Sequence, residues 1–434
     1  MGMKKCSLRF GKGTVEFQIP EEHLLYELMG NNHPALSDPA VAYLHSLDHP
    51  IDAPPLKEIV KPYDTVAITV SDITRAWQKN AGTLSVLIDY LNQAGVPDSN
   101  ITVIIAVGNH RQNTETEFVE ICSPAVCHRI KVVNHNARDT ANMIYLGKTS
   151  RGTEVSLNRI VVEADKVILT GVVIYHFMVG YGGGRKSVVP GVASLKTIQQ
   201  NHLWSLSPTL GGGSSDYCQN MITKGNPQHE DMMEVAAFLR PHFLINVVMN
   251  YEDRVAAIFA GNWVSAWMEA TRLVDDMFCV KIDEKADIVI ASAGGYPKDI
   301  SLYQSQKTLD NARYAVKKGG VVVILAECPD IAEPSEYFKG FKYPDVYEQE
   351  KALRKNYDLP GWVALRHSEC CRDNQVILLT RPGNEGYART AKLHPVFSME
   401  EALKLAYGKC GLDRPSITVM PFGANTFPLL SGQS

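Results

Sequence analysis

The chain has 434 residues, 45% of them hydrophobic and 21% charged, so it suits a soluble globular class and exceeds the length one core usually supports. A formal net charge of -4 excludes a broadly basic surface for nucleic acid or anionic lipid, though a few local Arg or Lys groups still suffice for a small anion. Nine cysteines, an odd number with no C-x-x-C pair, argue against a disulfide framework or structural zinc and for free thiols in a reducing compartment. The opening MGMKKCSLRF carries neither an apolar signal core nor a myristoylation pattern, and no apolar run is long enough to cross a bilayer. A cytoplasmic location, with no membrane and no nucleic acid as partner, is therefore expected.

In chain order, the first element is the apolar run TVAITV (65–70), which predicts a buried strand. TLSVLIDYLNQAGV (83–96) follows, with Leu84, Leu87, Ile88 and Leu91 on one helical face. ITVIIAV (101–107), RIKVV (129–133), ADKVILT (164–170) and FLINVVM (243–249) read as further strands. Continuous apolar strands separated by helices predict a parallel sheet covered on both faces.

The rhythm restarts after the helix WVSAWMEATRLVDDMF (263–278). KADIVIAS (285–292), a helix around 303–318, GGVVVILA (319–326) and NQVILLT (374–380) come next. SMEEALKLAYGK (398–409), with Ser398 as cap and Glu401 three residues on, and SITVM (416–420) complete it. The fold class is thus α/β with two domains, each a mainly parallel sheet flanked by helices, and an active site expected in the cleft between them. The expected domains are 1–278 and 279–412, with 413–434 crossing back over the first.

Ligands of open parallel sheets bind beyond the carboxyl ends of the strands. TVAITV runs into Ser71-Asp72-Ile73-Thr74-Arg75, and ITVIIAV into Gly108-Asn109-His110-Arg111. KVILTGVVIY runs into His176 and a glycine cluster; DIVIAS runs into Gly294-Gly295-Tyr296-Pro297-Lys298-Asp299. Singly, each has a structural explanation, a turn cap for Asp72 or a core role for either histidine. Four such strand ends together point to a site.

HFMVGYGGGRKSVVPGV (176–192) has glycines, a lysine and a serine, but it is no Walker loop. Arg185 stands where that loop has glycine, and Pro190 cuts short any helix after Lys186. G-x-G-x-x-G is absent as well. What remains is a lysine on a close-approach backbone, suited to a covalent anchor or a Schiff-base amine. Spacing leaves both open.

Taken together, S-D-I-T-R, G-N-H-R, H-F-x-x-G-Y-G-G-G-R-K-S-x-x-P-G, the N-H sixteen residues after the lysine, and G-G-Y-P-K-D-I-S-L-Y-Q-S-Q-K resemble the nickel-pincer lactate racemases. The resemblance runs from about residue 65 to about 310. It implies a pyridinium mononucleotide with thioamide and thiocarboxylate groups that hold nickel in a sulfur–carbon–sulfur pincer. By motif, Lys186 carries this cofactor and His202 is the metal ligand. Asp72, Ile73, Thr74, Arg75 and Pro190 line it. His110 and His176 are the paired acid/base groups. Arg75, Tyr303, Gln304 and Lys307 hold the substrate.

The implied reaction inverts C2 of a 2-hydroxy acid. Hydride leaves carbon while a histidine takes the hydroxyl proton, and return to the other face of the keto acid inverts the centre. Proteins that make the cofactor and insert nickel are implied partners. Ala76-Trp77 after S-D-I-T-R departs from the family pattern, in which proline commonly follows the arginine, and Trp362 is a candidate for shaping the pocket. Substrates in the family extend to malate-like, aryl and sugar acids. The alternative from another class is a non-enzymatic α/β protein that binds a small organic anion.

Overall fold

The computed structural model describes residues 2–78 and 81–432, apart from the side chains of 76–78 and 81. The chain forms two compact units, one of Asn32–Ser205 and Tyr217–Met277, the other of the residues up to Asn31, Leu206–Asp216 and those from Phe278 onward.

The first of these units is built on a six-stranded sheet in the order Val255–Gly261, Phe243–Met249, Lys166–Val172, Val66–Val70, Ile101–Ile105, Lys131–Asn134. All neighbours are parallel except the first pair. Every residue of 66–70 is buried, which explains its unbroken apolar run. The helix Ala81–Gln93 lays Leu84, Leu87, Ile88 and Leu91 into the core, each at most 2% exposed. Burying each side chain stabilises the unit by about 2 kcal/mol, and Leu87→Ala would cost about 3 kcal/mol. A capping box of Thr114 and Glu117 starts the helix Glu115–Cys122.

The other unit carries six parallel strands in the order His394–Val396, Gln375–Leu379, Val316–Leu325, Ala286–Ser292, Ile417–Met420, Leu24–Glu27. Two expectations fail here. The region from Met1 to Asn31 joins this sheet's unit and not that of 66–70. The C-terminal segment builds into this unit: Ile417–Met420 pairs with 286–292 and 24–27, and Phe427–Leu430 pairs with Cys279–Ile282. Both outcomes follow from long-range strand pairing, to which local periodicity is blind.

The helix expected over 303–318 ends sooner, as Leu302–Ala312, because Val316 already pairs with Ala286. An N-terminal hairpin, Met3–Phe10 with Gly13–Pro20, packs its alternate residues Cys6, Leu8, Phe17 and Ile19 against Ile288, Ile290 and Val323. Residues 206–216 are held in the same unit by carboxylates: Glu350 accepts from Gly211 and Gly213 N–H (2.9 and 2.8 Å), and Glu369 from Ser214 N–H (2.7 Å). Among the described residues, no helix is long and apolar enough to cross a membrane.

Candidate active site

Three neighbouring strands of the first sheet, 166–172, 66–70 and 101–105, deliver the polar loops at their carboxyl ends. Beyond 66–70, Asp72 is 4% exposed, and its Oδ2 lies 2.5 Å from His110 Nδ1. Burial works to raise this carboxyl, yet the hydrogen bond and charge of His110, with Thr74 and Arg75, hold it below the ordinary carboxylate range. An ionised Asp72 accepts Nδ1–H, so His110 presents Nε2 as its acceptor. Thr74 Oγ1 donates to Asp72 Oδ1 (2.6 Å) and accepts from Arg75 Nη1 (2.9 Å). Ile73 N–H donates to Asn113 Oδ1 (3.0 Å), and Asn113 N–H to Asn134 Oδ1 (3.0 Å), which ties the loop after one strand to the end of the last.

The His110 loop is clamped to the Pro190 loop. Gly108 N–H donates to Gly191 O (3.0 Å). Gly108 has φ +57, and a Cβ there would sit 3.0 Å from Pro190, so only glycine serves.

The glycine cluster is a built cradle. Tyr175–His176 and Gly180–Tyr181 form a short hairpin, and both tyrosine hydroxyls donate to Asp275 (2.9 and 2.7 Å). A Cβ on Gly184 would meet the Trp267 ring at 2.7 Å, and Gly184 N–H donates to Asn246 Oδ1 (2.9 Å). Arg185, read from sequence as a side chain that would crowd the backbone, turns inward instead and is 1% exposed. It donates to Val179 O (2.8 Å) and Gly182 O (3.3 Å) and lies 4.4 Å over the Trp267 ring. Burial lowers its guanidinium to about 9, which leaves it charged at neutral pH. His229 stacks on the same indole at 5.5 Å.

Lys186 follows on a short turn of 3-10 helix, Gly184–Ser187, and its Nζ lies 2.7 Å from His176 Nε2. His176 Nδ1 accepts from Met178 N–H (3.3 Å), so Nε2 is the atom directed at the lysine. His202 closes the helix Leu195–His202, which Ser194 caps and Asn201 anchors to Asp231 (2.8 Å). Its Nδ1–H donates to Ile198 O (2.8 Å), which makes Nε2 the acceptor nitrogen of the neutral ring. Burial first, then the charge of Lys186, lowers the His202 pKa to about 4, so the ring is neutral and fit to bind metal.

No group of three or more His, Cys, Asp or Glu side chains able to hold a metal ion occurs among the described residues. One neutral imidazole and a lysine amine on a backbone cradle form a donor set that fits an organic group bringing its own metal donors.

Asp72, Ile73, Thr74, Arg75, His110, His176, Lys186, Pro190 and His202 thus all belong to one unit. Tyr303, Gln304 and Lys307 belong to the other, on the helix Leu302–Ala312. There Lys307 Nζ donates to Gln304 Oε1 (3.3 Å), and Tyr303 meets the Tyr337 ring edge-on at 5.7 Å. Trp362 is fully buried on the helix Leu359–Asp373. Ala76 and Trp77 have side chains outside the described ones. Sequence reading missed Asn113, Asn134, Asn246, Trp267 and Asp275. The amides near strand ends were a usable signal for the first two; nothing local marks the others.

Residues 10–212 match the lactate racemase N-terminal domain and residues 281–427 the lactate racemase C-terminal domain. Lactate racemase of Thermoanaerobacterium thermosaccharolyticum is 29% identical over 431 residues, covering 98% of this chain and 99% of that one. Lactate racemase of Lactiplantibacillus plantarum is 27% identical, covering 97% and 99%. The solved lactate racemase apoprotein of T. thermosaccharolyticum superposes with a TM-score of 0.89 at 28% identity, covering 98% of this chain and all of that one. A crystal structure from Thermotoga maritima, 17% identical with a TM-score of 0.65 over 93% of this chain and all of that one, shares the fold.

Proposed function

The chain belongs to the lactate racemase family, and from that premise we propose that it inverts C2 of a small 2-hydroxy acid with a nickel-pincer nucleotide held at Lys186 and His202. The observation that carries this reading is Lys186 on the glycine cradle with its Nζ 2.7 Å from His176 Nε2, in the same unit as a tautomer-fixed, neutral His202. When bound, the nucleotide supplies a hydride acceptor and donor.

The remaining work falls to the chain. His110, oriented by Asp72, takes the hydroxyl proton of one enantiomer at Nε2 and returns it to the other. His176 would be its counterpart for the other enantiomer, with Nε2 as the atom directed at Lys186, the residue that would hold the nucleotide. Arg75 spends Nη1 on Thr74 and makes no ion pair among the described residues, so its remaining donors can meet a substrate carboxylate. Gln304 and Lys307 form a donor pair of the same kind.

A covalent cofactor calls for proteins that make it and insert nickel. Nine cysteines without a disulfide suit a cytoplasmic setting. The test is intact-mass and nickel analysis of the chain made in cells that synthesise the cofactor. The expected result is a mass addition on Lys186, absent from Lys186→Ala, with nickel in proportion. Bare lysine under those conditions, with nickel supplied, would overturn the reading.

A further inference from the structure

The hairpin that carries His176 is only two residues deep: Tyr175 pairs with Tyr181 and His176 with Gly180. So short a ladder cannot fix a ring by itself, since even a full hairpin alone is marginal in water. Its tip and second strand have anchors. Arg185 Nη2 donates to Val179 O (2.8 Å), Asn226 Nδ2 to Met178 O (3.0 Å) and Met221 N–H to Gly180 O (3.3 Å). Further support for the Tyr175–His176 strand comes from its side chains.

Side chains alternate along a strand, and directly opposed residues share a face. Tyr175 and Tyr181 therefore stand together on one face, their ring centroids 5.6 Å apart, with His176 on the other. On its own face His176 Nε2 meets Lys186 Nζ at 2.7 Å. The tyrosine hydroxyls meet Asp275, on the helix Ser265–Phe278. Asp275 Oδ1 accepts from Tyr175 (2.9 Å) and Tyr181 (2.7 Å), and the Tyr181 hydroxyl lies 2.8 Å from Oδ2 as well. Tyr181 also meets Trp267, earlier on the same helix, edge-on at 6.0 Å. All of these residues belong to one unit.

Asp275 is badly placed for the stability of its own helix. It stands in the last turn, where the helix dipole disfavours negative charge. Burial raises its carboxyl above the ordinary range, and the two hydroxyls offset this only in part. A residue that is costly to its helix, and whose oxygens serve both strands of one hairpin, is explained by what that hairpin carries.

We propose that Asp275 is a positioning residue: through Tyr175 and Tyr181 it fixes the hairpin from behind and holds the His176 imidazole in place for proton transfer. This rests on the reading of His176 as an acid/base group given above. A reacting group displaced by about 1 Å can lose about 100-fold in rate.

The nickel-loaded enzyme is assayed on lactate by chiral chromatography, with rates taken per chain carrying the mass addition on Lys186. Wild type is compared with Tyr175→Phe, Tyr181→Phe, the double variant, Asp275→Asn and Asp275→Leu. The double variant and Asp275→Leu are each expected to lower kcat at least about tenfold, with KM within about a factor of two. Asp275→Asn keeps one acceptor oxygen and is expected to recover part of that loss. Asp275→Leu added to the double variant is expected to cost nothing more, because the latch is already open. An unmoved kcat in the double variant, a loss that falls on KM, or losses that multiply would overturn the proposal. The phenylalanine variants keep the rings and their packing, so they decide even if Asp275→Leu does not fold.

The imidazole nitrogen spectrum of the cofactor-free chain, with labelled histidine and the His176 line assigned through His176→Gln, reads the hairpin without turnover. That line is expected to shift or broaden in the double variant while the His202 line stays in place. An unmoved His176 line overturns the proposal too. Failure of the loaded wild type to racemise lactate would count against the function instead, and the imidazole spectrum would still judge the latch.

Discussion

The Nδ1 atom of His110 lies 2.5 Å from the buried Oδ2 of Asp72, a carboxylate held in its ionised form and fixed in turn by Thr74. A carboxylate in this position selects one imidazole tautomer and stabilises the imidazolium that forms when the ring accepts a proton. Asp72→Asn keeps the shape and loses the charge. The expected loss in kcat is about 100-fold at equal cofactor occupancy, read as racemisation rate against the mass addition on Lys186. A variant within a factor of a few of wild type would show that Asp72 does not orient the base.

The two-histidine scheme predicts losses of at least about 100-fold for both His110→Ala and His176→Ala. Each is measured with both enantiomers as substrate. Near-normal turnover by either variant would end the scheme.

Nickel held as proposed at His202 would require the neutral imidazole, and burial with the Lys186 charge lowers that ring's pKa to about 4. Protons therefore compete with the metal only in strong acid. Loaded protein dialysed at about pH 5 should keep the nickel it holds at neutral pH, because an ordinary imidazole would already be protonated there. Elemental analysis decides; release centred near the ordinary histidine value would contradict the buried, Ile198-bound state of the ring.

His135 and His367 are fully buried, and burial lowers each from 6.5 to about 4. The folded chain then binds fewer protons than the unfolded one between those values, so stability rises with pH across that window. Each histidine contributes about 3 kcal/mol that is fully present above the unfolded value and lost as pH falls towards the folded one. Denaturant unfolding of wild type and His135→Gln across that range should show a shallower acid limb in the variant. Parallel limbs would refute the assignment.

Trp267 supports the cradle with its ring under Arg185 and its Nε1–H on Gly182 O (2.9 Å). Trp267→Ala should cost about 4 kcal/mol of stability. Trp267→Phe, which keeps a ring and loses the hydrogen bond, should cost about 1 kcal/mol beyond the smaller ring's packing loss. Thermal unfolding measures both. An unchanged melting temperature in the alanine variant would mean the indole is not a support.

Many residues of the candidate site stand in short local motifs. Asp72, His110 and His176 each follow an apolar strand within a few residues, and such a run is readable by its period and length. Arg185 was legible only as a departure from a nucleotide loop. Its actual place, inside the loop and against Trp267 eighty-two residues on, depends on a contact that no local pattern records. The hairpin of residues 3–20 has clean alternation, Cys6 and Leu8 on one strand, Phe17 and Ile19 on the other. Alternation shows that one face is covered but does not name the sheet that covers it.

By itself, then, the amino-acid order determined the α/β class, the two sheets and the strand ends that bear polar loops. These follow from residue period, turn chemistry and spacing, which act over a few residues. Only the tertiary structure decided that the first strands join the last sheet, that Ile417–Met420 inserts beside 286–292, and which imidazole nitrogen each histidine presents. Those outcomes are set by strand pairing, hydrogen bonding and burial, where the free energy of a contact depends on both partners at once and local periodicity records neither.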